Sequence, residues 1–412
     1  MTLRIFKAET SREISDKLFS ALKEFSDRMP PNKNARILLK PNLNSNLDAL
    51  TGNTTDLRLI VSLIKYFQKE GYSNIVVGDG SNSGFDRDKV SVIQQLRIAR
   101  LAEQFGVEIE DFNNSKGIAV ELKNGLKPLI SKTCFDCDFF VNVPKIKTHS
   151  ETTMSVSLKN LIGILVGQEN KRMMHTDLIG NILRLNDYIK PDLHIVDGLI
   201  AMEGTGPSAG RPLKMNTIII GDDAYAVDML ACRVSGFMFE EVPALKLALK
   251  TNRIDENLVK EVEKIDVSEF KKIFERPKPN FLARLIINPR YQKYFSLVRN
   301  APIIRDIINL PKTKRMLLAL GLTQEVIVKE ERQTQLKLSE QKCKGCSKCA
   351  EFCPLVLDLP SDFRDIKRLN KNCIDCLYCY AVCPEHAIEV EGELGFYKEQ
   401  LKRYDSYIRG KL

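Results

Sequence analysis

From Ala35 to Gly236 the apolar positions of the chain fall into two alternating kinds of run. Short, strongly apolar segments read as strands that end in polar or glycine-rich loops. They are Ala35–Asn44 (ARILLKPNLN), Asn74–Gly84 (NIVVGDGSNSG), Val107–Phe112 (VEIEDF), Cys137–Pro144 (CDFFVNVP), Leu193–Gly198 (LHIVDG) and Met215–Asp222 (MNTIIIGD). Between them, Thr54–Tyr72 carries helical apolar spacing that closes on Gly71, and Lys89–Gly106 reads as a second helix. Apolar strands separated by helices of this length need parallel crossovers. The expected fold class is therefore α/β, a mostly parallel sheet with helices on both faces.

Ligands of such sheets sit at the carboxyl ends of the strands. The stretches KPNLN, GDGSNSG, PKIKTH and DGLIAMEGTGP all follow predicted strands, so parallel strands would bring them to one edge, the candidate site.

The pattern changes after Gly236. From Lys271 to Arg315 there are twelve Lys or Arg against Glu275 and Asp306, a surplus of ten in a chain whose net charge is +9, so the basic character is local. Prolines interrupt this stretch among apolar clusters such as FLARLII, giving short amphipathic helices. A connector draped on the main domain and a surface that docks an acidic protein or an anionic membrane both fit it. Nucleic acid does not, because no stacking aromatics and no helix-turn-helix, finger or basic-zipper pattern accompany the charge. The expected organisation is an α/β ligand-binding domain over 1–238, a basic helical bridge over 239–338, a small α+β ferredoxin-like domain over 339–394 and a tail over 395–412.

At 412 residues and 43% hydrophobic content the chain has room for two or three domains. No apolar run reaches a membrane-spanning length, and the opening MTLRIFKAETSREISDK lacks the apolar core and cleavage site of a secretory signal. A cytoplasmic location, peripheral to a membrane if the basic segment docks there, is the expectation. Regularly spaced cysteines in a reducing compartment are metal ligands before they are disulfides.

Eight of the eleven cysteines lie in two copies of Cys-x2-Cys-x2-Cys-x3-Cys-Pro, Cys343–Pro354 and Cys373–Pro384, offset by thirty residues. This run holds a [4Fe-4S] cluster through thiolates, and its fourth cysteine ligates the other cluster. The expected sets are Cys343, Cys346, Cys349 with Cys383, and Cys373, Cys376, Cys379 with Cys353. Zinc is the alternative, but zinc sites rarely use three evenly spaced cysteines and a Cys-Pro twice over. The segment resembles the two-cluster bacterial ferredoxins over about sixty residues. It departs from them where CPLVLDLPSDF replaces the usual small-residue turn. The remaining Cys134, Cys137 and Cys232 read as ordinary buried or edge residues.

The stretches LLKPNLN (Leu38–Asn44), VPKIKTHSETTMSVSLKNLIG (Val143–Gly163), VDGLIAMEGTGP (Val196–Pro207) and GDDAYAVDMLA (Gly221–Ala231) resemble domain-of-unknown-function family 362. Its members are often described as uncharacterised iron-sulfur centre proteins, and the resemblance brings no reaction.

The residues supply chemistry of their own. Lys145, Lys147 and His149 alternate along an extended segment, so their side chains point one way. Ser150 or a neighbouring threonine is expected to cap a helix carrying Lys159 and Asn160, and lysines beside a helix N-terminus suit phosphate or carboxylate. His149 is the expected proton donor. Lys40, Asn42 and Asn44 follow the first strand, Asp79 the second, and Asp197 and Glu203 come from a later loop. Gly204 and Gly206 would let backbone N–H groups approach a phosphate, although no P-loop lysine follows. The expected catalytic set is His149, Lys145, Lys159 and Asp197; the expected ligand-binding set is Lys40, Asn42, Asn44, Lys147, Asn160, Glu203, Gly204 and Gly206.

Together these point to an iron-sulfur oxidoreductase in which two [4Fe-4S] clusters exchange electrons with a redox partner protein and with an anionic small molecule bound by the α/β domain. A flavin or other prosthetic group is a further expected cofactor of that reading. An electron-transfer subunit that docks a partner enzyme, and a transferase or ligase with structural clusters, remain as alternatives.

Overall fold

The structure, a computed structural model, describes residues 1–82, 90–278 and 333–408, with the isolated positions Leu310, Lys312, Thr313 and Met316. Half of the expected basic bridge, 279–309, 311, 314–315 and 317–332, and with it most of the proposed docking face, lies outside the described residues.

Strict alternation of buried side chains builds the sheet. In β2 (Ile37–Pro41), Ile37 and Leu39 enter one apolar cluster and Leu38 another; in β3 (Ile75–Asp79), Ile75 and Val77 take the first face and Val76 the second. In β7 (Phe139–Val143), Phe139, Val141 and Val143 take the first face and Phe140 and Asn142 the second. Both faces are thus covered, as parallel strands require. The helices Ser11–Leu22, Leu57–Lys69 and Arg100–Phe105 cover one side. Ser157–Asn160, Leu178–Tyr188 and Ala224–Ser235 cover the other.

With β1 (Leu3–Lys7), β4 (Glu108–Asp111), β10 (Leu193–Glu203) and β11 (Arg211–Gly221), the strand order is β1-β11-β10-β7-β2-β3-β4, and β5 (Gly117–Ala119) and β6 (Leu129–Ser131) pair with each other outside this sheet. β10, β7, β2, β3 and β4 run parallel, while β11 is antiparallel to β10 and to β1. The mostly parallel α/β sheet expected from the sequence is present, with an antiparallel margin that periodicity did not announce.

Three local expectations are corrected. The stretch Lys145–His149 is a strand, β8, paired with β10 and with β9 (Thr153–Ser155), so no helix begins at Ser150. The helix carrying Lys159 starts at Ser157, where the Asp228 carboxylate accepts from Ser157 N and Leu158 N. Asp197–Glu203 is not a loop but the continuation of β10, with a register shift between Gly198 and Ile200. The second expected helix breaks into Val92–Gln95 and Arg100–Phe105, because Arg97 takes a left-handed backbone, φ 64°.

The cysteine-rich module repeats its backbone as well as its sequence. Positive φ occurs at Gly345 and Asp375, at Ser347 and Leu377, and at Val356 and His386, each pair thirty residues apart. Helices Lys348–Phe352 and Tyr378–Val382 follow at the same offset, and β12 (Gln333–Leu338) pairs with β13 (Ile388–Glu393) to close the unit. The divergent CPLVLDLP stretch therefore keeps the turn. It does so at a cost, since a β-branched residue sits at Val356 with φ 58°. Val356→Gly is expected to raise stability by about 1 kcal/mol, read from the denaturant midpoint of the anaerobic protein.

This module docks directly on the α/β domain. Ile374, Tyr378, Ala381 and Val382 share an apolar cluster with the helices Ser11–Leu22 and Leu57–Lys69. The expected tail is a docking helix, Tyr397–Tyr407: Gln400 accepts from Asp48 N and donates to Asn46 O, and Arg403 donates to Ser208 O. The loop it meets, 43–56, is pressed onto β10. Gly52 (φ 77°) lies there so close that a Cβ would stand 2.2 Å from Ala201 O.

Candidate functional site

The strands β2, β3, β7, β8 and β10 deliver the expected residues to one edge. Lys40, Asn42, Asn44, Asp79, Lys145, Lys147, Asn160 and Asp197 all meet there, in a buried polar layer joined by hydrogen bonds. His194 Nδ1 and Asn142 are 3.2 Å apart, and Asn160 donates to Asn142. Asn42 donates to Asn160, and Lys147 donates to Asn42. Buried amides are worth their desolvation only when paired in this way.

Three of the lysines already have partners. Lys40 Nζ lies 2.7 Å from Asp79 Oδ1, and the other Asp79 oxygen accepts from Leu43 N. Gly163 makes that approach feasible, for a Cβ there would stand 2.1 Å from Asp79. Lys145 Nζ lies 2.9 Å from Asp197, both side chains having no exposure. Lys147 directs its three donors at Asn42 Oδ1, Asn44 Oδ1 and Asn53 O, each at 2.8 Å. Burial, with Lys159 and Lys145 nearby, pushes Lys147 well below the ordinary lysine range. Protein groups, rather than an anion, take up the hydrogen bonds of these three lysines.

Lys159 differs. It is half-buried, and among the described residues no hydrogen bond or ion pair holds its ammonium. Burial lowers it to about 8, with Glu151 opposing. His149 lies in its field; burial first, then Lys159, Lys147 and His175, push the imidazole well below its usual range. His149 Nδ1 accepts from Glu151 N at 3.1 Å, which leaves the neutral ring with its proton on Nε2. The expected imidazolium acid is thus corrected to a neutral imidazole whose Nε2–H is a hydrogen-bond donor.

Two more expectations change. Glu203 accepts from Arg211 and from Glu275 N, an internal tie. Gly206 is pressed on Thr148, where a Cβ would meet its carbonyl oxygen at 1.9 Å, and its own carbonyl accepts from Ser150; Gly204 donates to Glu275 O. The glycines clamp β8 rather than cradle a phosphate.

Several partners were missed. Asp56 caps the helix Leu57–Lys69, holds Arg58 through both carboxylate oxygens, and donates its own N–H to Asp197 Oδ2 at 2.6 Å. Burial works against the Asp56 carboxylate, yet Arg58 holds it below the usual range; burial raises Asp197 despite Lys145. The fully buried Tyr378, inside the second cysteine run, has its hydroxyl 3.4 Å from Leu57 N. Only the helix-capping pattern Thr-Thr-Asp-Leu gave any sequence signal for Asp56.

The eight cysteines form two groups across the repeat. One cavity is lined by Cys343, Cys346, Cys349 and Cys383. Cys373, Cys376 and Cys379 gather with Cys353 on the side facing the α/β domain. Each group takes its fourth thiol from the other run, and the donor set and spacing fit a [4Fe-4S] cluster in each. Among the described residues no three His, Cys, Asp or Glu close on a point for a single ion. Thiolates on separate irons of a cube stand farther apart than those round one ion. The first group is open, with Cys346 exposed; in the second, Cys353, Cys376 and Cys379 are buried. Away from the module, Cys134 and Cys232 are buried and Cys137 half-buried, and burial pushes Cys137 up to about 12.

Residues 37–233 match the family model described as Domain of unknown function (DUF362), and residues 335–384 match that of a 4Fe-4S dicluster domain. The chain is similar to a thylakoid-associated protein of Synechocystis sp., 28% identical over 207 residues, which cover 47% of this chain and 61% of that protein. It resembles the lactate racemase apoprotein of Thermoanaerobacterium thermosaccharolyticum at 13% identity and a TM-score of 0.35, over 48% of this chain and 50% of that one. A Thermotoga maritima protein matches at 11% identity and a TM-score of 0.29, over 60% of each chain. The C-terminal module holds two [4Fe-4S] clusters and serves electron transfer, which calls for a redox partner. Among the described residues no helix is long and apolar enough to cross a membrane.

Proposed function

We propose that this chain, a DUF362 domain joined to a 4Fe-4S dicluster domain, passes electrons between a partner protein at the open cysteine group and an anionic small molecule at the carboxyl edge of the sheet. When bound, the clusters supply one-electron chemistry. The supporting observation is the docking of the buried cysteine group: Tyr378 meets Leu57 N, the neighbouring Asp56 N bonds Asp197, and Asp197 bonds Lys145. A continuous run of buried contacts thus leads from the second cysteine run to the candidate site.

With Lys40, Lys145 and Lys147 internally bonded, Lys159 is the cation left for the anion, and His149 Nε2–H is the adjoining donor. The Lys145–Asp197 pair and the amide layer hold the floor beneath them. Glu203, Gly204 and Gly206 belong to the frame of this site, not to its contacts.

The test is phosphate binding to anaerobic protein by calorimetry. Lys159→Met is expected to weaken it at least tenfold while iron content stays unchanged. Because burial lowers Lys159 to about 8, its charge, and with it affinity, should be present at pH 7 and fade as pH rises through 8. Binding that ignores both the substitution and the pH would remove this site from the reading.

The internal pairing of three lysines favours a second reading, a carrier that docks a partner enzyme and binds no substrate itself. A flavin or other prosthetic group that copurifies with the anaerobic chain would support the enzyme; a chain that binds no anion and carries only clusters would support the carrier. The peripheral membrane contact and the cytoplasmic location are part of the proposal, and the Synechocystis relative's thylakoid association belongs to that protein.

A further inference from the structure

Burying an iron-sulfur cluster makes it harder to reduce, because the added negative charge is less well solvated. The group Cys353, Cys373, Cys376 and Cys379 has that problem, being largely sealed by the α/β domain, whereas Cys346 of the other group is exposed. An electron entering at the open cluster would then meet a buried one of lower potential.

The face of the α/β domain that seals the buried group is cationic. Lys65, on the helix Leu57–Lys69, is half-buried and faces the Cys353 sulfur, with its Nζ 3.4 Å from Leu355 O. Arg100, at the head of the helix Arg100–Phe105, donates to Cys373 O at 3.2 Å. The other charges nearby are internally balanced: Arg58, whose guanidinium lies 4.4 Å from the Phe352 ring centroid, is held by Asp56, and Arg97 by Asp375. Arg100 is itself paired, its Nε lying 3.3 Å from the exposed Glu103 carboxylate, so Lys65 is the cation at this group with no carboxylate at bonding distance among the described residues. At the open group Lys344 pairs with Glu385 and Lys342 with Glu389 at the surface. A half-buried cation with no carboxylate of its own acts on a nearby cluster more strongly than a solvated pair does.

We infer that Lys65 is a positioning charge that holds the reduction potential of the buried cluster up, so that electrons can pass inward from the open one. It touches neither substrate nor iron. The inference rests on the ligation set out above and on the inward direction of transfer, and it assigns the α/β domain a part in tuning the module it carries.

The experiment is a redox titration of the anaerobic full-length protein followed by electron paramagnetic resonance, with iron and sulfide assayed on the same samples. Lys65→Met is expected to shift one of the two cluster signals to lower potential, by roughly a tenfold change in its reduced fraction, about 59 mV for a one-electron couple. The second signal should stay in place, and Lys65→Arg should restore the first. A purely structural role for Lys65 would be seen as lost iron with unshifted midpoints. Midpoints that stay fixed with full iron, or that move equally for both clusters, would overturn the inference. A protein with only one cluster would instead overturn the ligation beneath it.

Discussion

Anaerobically purified protein is expected to contain about eight iron and eight acid-labile sulfide per chain, and Cys383→Ala to bring both down to about four. The four that remain should be the buried cluster. Cys383 lies in the second run by sequence, yet its thiol lines the cavity of Cys343, Cys346 and Cys349. The reciprocal change, Cys353→Ala, should spare the open cluster and remove the buried one. Because the two variants differ in which cluster survives, electron paramagnetic resonance with a water-soluble relaxing agent separates them: the open cluster relaxes strongly, the buried one weakly. If Cys383→Ala loses the buried cluster instead, each run ligates within itself and the crossed assignment fails. Zinc in place of iron would remove both.

Asp56→Ala is expected to destabilise the chain by about 3–5 kcal/mol, the usual cost of leaving a buried charge without its partner. Arg58 is 2% exposed and, among the described residues, has no other carboxylate at bonding distance, its further contacts being Glu9 O and the Phe352 ring. The same substitution removes the cap of the helix Leu57–Lys69, whose first turn receives Tyr378. The loss should therefore be accompanied by faster amide exchange at Leu57 and along Tyr378–Val382, beyond a uniform drop in stability. Replacing both partners, Asp56→Leu with Arg58→Met, should recover most of the loss, since it leaves no orphaned charge. Denaturant unfolding of the anaerobic protein measures both. A single substitution that costs less than about 1 kcal/mol would mean that water reaches Arg58 and that the dock is looser than described.

The two predictions draw on different sources. The first was legible almost in full from the chain, because cluster ligation depends on spacing within a tight loop, and a repeat of thirty residues carries that spacing twice. Even the departure at CPLVLDLP did not alter it, as Val356 adopts the same left-handed turn as His386. The second could not be read. Asp56 and Tyr378 are 322 positions apart, and nothing in either local pattern says that the hydroxyl of one will reach the helix start prepared by the other.

The same division runs through the α/β domain. Alternation and helical spacing named β2, β3, β4 and β7 and the helix Leu57–Lys69, because a strand buried on both faces and an amphipathic helix each write their burial into consecutive residues. They failed at β8 and at the far half of β10. There Lys145, Lys147 and Asp197 occupy strand positions in a buried layer, and local pattern reads charged residues as loop. Whether a lysine is a ligand for an anion or the partner of an aspartate depends on which strand lies beside it. Strand register settles this for Lys145, opposite Asp197, and helps bring Lys147 within reach of three carbonyl oxygens, while Lys159, on the helix Ser157–Asn160, is left with neither among the described residues. The sequence by itself thus determined the cluster ligands, the fold class and the edge at which chemistry gathers, since each depends on residues near one another in the chain. The tertiary structure decided which cations stay free, which cluster is buried and what the module rests on, because desolvation and pairing are properties of neighbours brought together from distant parts of the chain.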